Sequence, residues 1–125
     1  MGIFGRLMGH AGEADIERVE EEYGRLLTPG ERVEGAYQVI RDLFIFTNKR
    51  LILVDKQGLT GKKVEYHSIP YRSITRFSIE TAGHFDLEAE LKIWITGHAE
   101  PLVKTFDRSL DIYKLQSILA AYVLG

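Results

Sequence analysis

The chain contains no cysteine, which excludes disulfides and thiolate metal sites. It has no run of about 18 apolar residues, so a membrane-spanning helix is not expected. The start lacks a basic stretch leading into an apolar core of about 7 to 15 residues, so no secretory signal is expected and a cytoplasmic location is the default. A nucleophile elbow, a phosphate-binding loop and a glycine-rich dinucleotide fingerprint are all missing, and catalysis is not expected. Tryptophan occurs once and histidine four times. If His84 and His98 flank one extended strand, they stand roughly 45 Å apart at about 3.3 Å per residue, far too distant to share an ion. No catalytic residue, cofactor or metal site is assigned.

What is present fits one soluble globular domain: 125 residues, of which 45% are hydrophobic and 27% charged. The net charge of -2 is unevenly spread. Residues 1–40 carry four basic and eight acidic groups, residues 41–80 eight and four, and residues 81–125 four and six, so the middle third is positive within an acidic protein. Alternating solvated charges on strands produce such a count, as does an anion-facing surface.

Residues 1–12, with four glycines and scattered apolar side chains, read as a flexible lead. Residues 13–125 then form a single domain. Ile16, Val19, Tyr23, Leu26 and Leu27 recur at three- and four-residue spacing, which predicts an amphipathic helix over 13–28, stopped by Thr28-Pro29-Gly30. Seven β-type runs follow at 32–40, 43–47, 50–56, 62–69, 73–81, 84–96 and 102–106. The short connections between them favour antiparallel pairing, because a parallel crossover needs a dozen or more residues. A second apolar stripe, Ile112, Leu115, Ile118, Leu119, Tyr122 and Val123, predicts a closing helix over 109–124 with Asp107 or Ser109 as its cap.

The clearest strand signal is the alternation from Phe85 to Thr96. Phe85, Leu87, Ala89, Leu91, Ile93 and Ile95 share one face, and Trp94 falls among the charges on the other. An outward tryptophan needs a cover, unless a bulge near Ala89 or Glu90 turns it inward. The runs at 43–47 and 51–54 are apolar on both faces, with Leu43 and Ile45 backing Phe44 and Phe46. One of those faces must be covered by either helix or by another subunit.

Seven antiparallel strands and a closing helix follow the pleckstrin homology order. The run over 42–80, including Thr47-Asn48-Lys49-Arg50-Leu51-Ile52-Leu53-Val54-Asp55 and Ser68-Ile69-Pro70-Tyr71-Arg72-Ser73-Ile74, resembles the core of the bacterial PH domain family, as does 86–96. The resemblance implies a mainly β domain with helices: a PH-like seven-stranded antiparallel barrel, preceded by an amphipathic helix and capped by a C-terminal one. It further implies a bacterial cytoplasmic setting and self-association into ring-like homo-oligomers.

Two functional expectations follow. The first is a non-catalytic binding or scaffold module that self-associates, with Trp94, Phe44 and Phe46 as candidate interface residues. The alternative is an anion or lipid-headgroup site on a basic rim, because alternating turns bring Arg41, Lys56, Lys62 and Lys63 to one barrel end. A protein partner and peripheral membrane contact stay open. Nucleic acid is not expected, since no aromatic is interleaved with these cations.

Overall fold

Asp15 opens the first helix, α1 (Ile16–Tyr23), accepting a hydrogen bond from the Glu17 N–H at 2.9 Å. A 3-10 turn, Gly24–Leu26, ends it. Gly30 follows at φ 83°, a left-handed conformation that glycine adopts without a Cβ clash. The computed structural model describes residues 14–39, 42–57, 62–81, 88–107 and 111–125. The expected lead at 1–12, Arg41, His84, the first part of the long alternation and Ser109 lie outside the described residues.

All seven expected strands form: β1 (Val33–Val39), β2 (Asp42–Thr47), β3 (Arg50–Gln57), β4 (Lys63–Pro70), β5 (Ile74–Glu80), β6 (Glu88–Ile95) and β7 (Leu102–Asp107). Every pairing is antiparallel. The expected seven-stranded barrel takes the form of two sheets that do not close into one: β1-β2-β3-β4 make one sheet and β5-β6-β7 another. Pro70 and the 3-10 turn Tyr71–Ser73 interrupt the chain between β4 and β5, and no ladder joins these two strands among the described residues.

The two faces of β2 and β3 are both buried, each by a different partner. Phe44, Phe46, Leu51 and Leu53 point between the sheets, where they meet Leu91, Ile93 and Phe106. Leu115, Ile118 and Leu119 of α2 (Ile112–Leu124) enter the same core. Leu43, Ile45, Ile52 and Val54 point the other way and lie under Val19 and Tyr23 of α1. Burying each such side chain contributes about 1.5–3 kcal/mol relative to leaving it wet, so α1 is integral to the domain. The cap of α2 is also corrected: Asp111 accepts from the Lys114 N–H at 3.2 Å, while Asp107 is the last residue of β7, opposite Glu88.

Candidate functional site

On β6, Ala89, Leu91 and Ile93 are buried, which places Glu90, Lys92 and Trp94 on the outer face. The β6–β7 register runs unbroken from Glu88 to Ile93, and the one irregularity of the β5–β6 ladder lies between Ile74 and Arg76. With no bulge at Ala89 or Glu90, Trp94 stays outward. Arg76 is its cross-strand partner and lays its guanidinium carbon 4.5 Å from the ring centroid, a cation–π contact that half-covers the indole. Val103, 44% exposed, and a Lys92–Glu90 pair at 3.6 Å share this face. Among the described residues no helix packs on it, because α1 buries its apolar side on the four-stranded sheet and α2 enters the space between the sheets.

Phe44 and Phe46 do not join Trp94. Both are 0% exposed inside the core, so as interface residues they are corrected: their strand face is the one turned toward the second sheet.

The basic rim is divided. Lys56 follows Val54 in parity and lines a cavity of about 310 Å³ against α1, beside Asp15, Arg18 and Glu22. Lys63 pairs with Gln57 on the opposite face, and Lys62 and Lys63 are exposed. Acids gather at the same end of the molecule. Lys104 Nζ binds Asp42 Oδ2 at 2.8 Å and Asp55 Oδ2 at 3.6 Å. Asp55 stands opposite Glu65, whose Oε1 is 2.8 Å from His67 Nε2. The ligand atoms of Asp55, Glu65 and His67 all lie within 4.8 Å of one another. Sequence reasoning missed this group by considering the histidines alone. The signal was available: Glu65 and His67 alternate onto one face of a strand, and the hairpin register puts Asp55 beside them.

At the other end Glu31 is a buried carboxylate held by four donors. Thr47 Oγ1 donates at 2.6 Å, Arg50 Nε at 2.9 Å, a terminal Arg50 nitrogen at 3.0 Å and the Thr28 N–H at 3.0 Å. Arg50 also donates to the Leu26 carbonyl and to Ser68. Burial alone would raise the Glu31 carboxyl, but these hydrogen bonds and the Arg50 charge overcome it and hold the group at about 2, below its ordinary 4.5. Nearby, Tyr71 and Tyr122 stack at 4.6 Å, and Tyr122 donates to Glu34. Burial is the main cause that pushes both phenols up, so they remain neutral donors. These buried and half-buried groups fasten the 3-10 turn after α1, the β2–β3 turn, β1 and α2 to one another.

Two antiparallel sheets of four and three strands with a helix closing the space between them define a PH-like domain. The chain matches the bacterial PH domain family model over residues 2–123 and belongs to that family. It is 55% identical over 122 residues to the uncharacterized protein YjqA of Bacillus subtilis (strain 168), covering 97% of this chain and 98% of that one. Among solved structures it is similar to a pleckstrin homology domain from Shewanella amazonensis SB2B, with a TM-score of 0.80 and 53% identity over 89% of this chain and all of that one. A DUF1696 family protein with a pleckstrin-homology domain from Shewanella loihica PV-4 gives 0.78 and 50%, over 92% and 98% of the two chains.

Proposed function

We propose that the chain is a non-catalytic binding module of the cytoplasm that self-associates through the outer face of β5–β7, centred on Trp94. The observation that carries this reading is an outward tryptophan, stacked with Arg76, on a sheet face that neither helix covers. Tryptophan and arginine are the residues most often found at the energetic centre of protein interfaces. A ring closes only through a heterologous contact, so in a ring the Trp94 face meets a different surface of the next subunit; two Trp94 faces meeting would give a dimer.

Size-exclusion chromatography with light scattering tests the reading. The expected result is an oligomer at micromolar concentration that Trp94→Ala converts to a folded monomer. Because the indole lies outside the core, the fold should lose no more than about 1 kcal/mol, so the melting curve separates dissociation from unfolding. A strictly monomeric wild type removes the reading.

A second reading keeps the exposed Lys62 and Lys63 as an anion-binding rim, with peripheral contact to an anionic membrane surface. No helix among the described residues is long and apolar enough to cross a membrane. Asp42, Asp55 and Glu65 beside these lysines make this the weaker reading. Co-sedimentation with anionic liposomes should show binding at low salt that falls at moderate salt, where exposed charges are screened. No binding at low salt defeats it.

A further inference from the structure

We infer that Asp55, Glu65 and His67 form a binding site for one divalent transition-metal ion of the zinc type. The site is built on strands. Asp55 of β3 and Glu65 of β4 are register partners, and His67 lies two residues along β4 on the same face. The ladder from Arg50↔Pro70 to Gln57↔Lys63 is continuous, so the backbone beneath all three ligands is fixed. Only side-chain rotation separates the present arrangement, within 4.8 Å, from coordination. Zinc–nitrogen and zinc–oxygen bonds of about 2.0–2.2 Å place tetrahedral ligands about 3.4 Å apart.

The donor set selects the class of ion. One imidazole nitrogen with two carboxylate oxygens suits a borderline divalent metal, whereas magnesium and calcium prefer oxygen alone. Electrostatics favours a cation here as well, since two carboxylates directly opposite on neighbouring strands repel. Lys104 relieves that repulsion only in part: its close partner is Asp42 at 2.8 Å, and Asp55 lies at 3.6 Å. An ion can therefore take Asp55 while Lys104 stays on Asp42. Glu65 would exchange its contact with His67 for the metal, and Gln57 Nε2, 3.4 Å from Glu65 Oε1, supports the carboxylate from the side.

Access is also provided. Glu65 is exposed and His67 half-buried. His67 also lines a cleft of about 510 Å³ between β4 and the β6–β7 turn, with Ile69, Ile95, His98 and Leu102 among its walls. Of the three ligands His67 alone lines this cleft, and a site with three protein ligands leaves a coordination position for water or a further ligand, the open arrangement of such zinc sites.

Isothermal titration of the untagged full chain with zinc chloride in a non-chelating buffer tests the assignment. One ion per chain is expected, with micromolar affinity. His67→Ala and the isosteric Glu65→Gln should each weaken binding at least about tenfold, the scale on which changes around a metal site act. Glu17→Gln, an exposed carboxylate on α1 outside the cluster and the cleft, should bind as the wild type does. Zinc should raise the melting temperature of the wild type and not that of His67→Ala, because an ion bound only to the folded state stabilises it. Bound Co²⁺ should give a visible absorption spectrum that His67→Ala abolishes. No heat of binding up to millimolar zinc, or equal affinity in His67→Ala, overturns the assignment. Each readout is scored per chain and does not depend on self-association.

Discussion

Phe46→Ala is expected to lower the unfolding free energy by about 3–5 kcal/mol, the range for truncating a fully buried aromatic. The ring is 0% exposed, lies 5.7 Å from the stacked Tyr122 ring, and meets Tyr37 edge-on at 5.9 Å. It therefore joins three elements: β2, its neighbour β1 and the closing helix α2. The cavity cannot readily collapse, because β1 and β3 are hydrogen-bonded to β2 on either side and hold it in place. Urea unfolding should show a lower midpoint, and the near-ultraviolet circular dichroism of the tyrosines should weaken as α2 loosens. Under conditions where the variant is folded, its oligomeric state should match the wild type. Dissociation with unchanged stability would mean that Phe46 faces a neighbouring subunit, and the core assignment would fall.

That contrast shows where sequence reasoning stops. Alternation and turn residues located all seven strands, because period-two patterning and short polar connections are local properties. A strand apolar on both faces has no pattern to say which face is inside. Phe44 and Phe46 could not be told from Leu43 and Ile45 until α1 was seen to cover the second pair. Alternation along its own strand set the choice for Trp94, outward or flipped by a bulge, and the unbroken register from Glu88 to Ile93 decided it.

Sheet partition and side-chain convergence were less legible for a related reason. The break between the sheets depends on how Pro70 and the following turn redirect the chain, and the hydrophobic pattern continues across it. Lys104 meets Asp42 across 62 positions, and no local rule anticipates that pair. Asp55, Glu65 and His67 are an intermediate case, recoverable once the β3–β4 register is counted outward from the turn.

Arg50→Met is expected to cost about 3–5 kcal/mol at neutral pH, because it leaves a buried carboxylate without its cation. Glu31 has a fully buried side chain, and Arg50 supplies two of its four hydrogen bonds as well as the compensating charge. The pH dependence identifies the cause. The folded carboxyl sits at about 2 against 4.5 ordinarily, so its contribution to stability is fully present above about 4.5 and is lost as pH falls toward 2. That shift corresponds to roughly 3 kcal/mol at about 1.4 kcal/mol per unit. In Arg50→Met the burial that raises this carboxyl is no longer opposed by the guanidinium, so protonation relieves the buried charge instead of removing a favourable contact. Urea unfolding at pH 7, 5 and 3 should therefore show a gap between wild type and variant that is widest at pH 7 and narrows toward pH 3. Glu31→Gln should lose less than Arg50→Met at pH 7, since the amide oxygen still accepts hydrogen bonds and no buried charge is stranded. A gap that stays constant from pH 7 to 3 would show that Arg50 acts through its packing and its bonds to Leu26 and Ser68, with Glu31 contributing nothing specific.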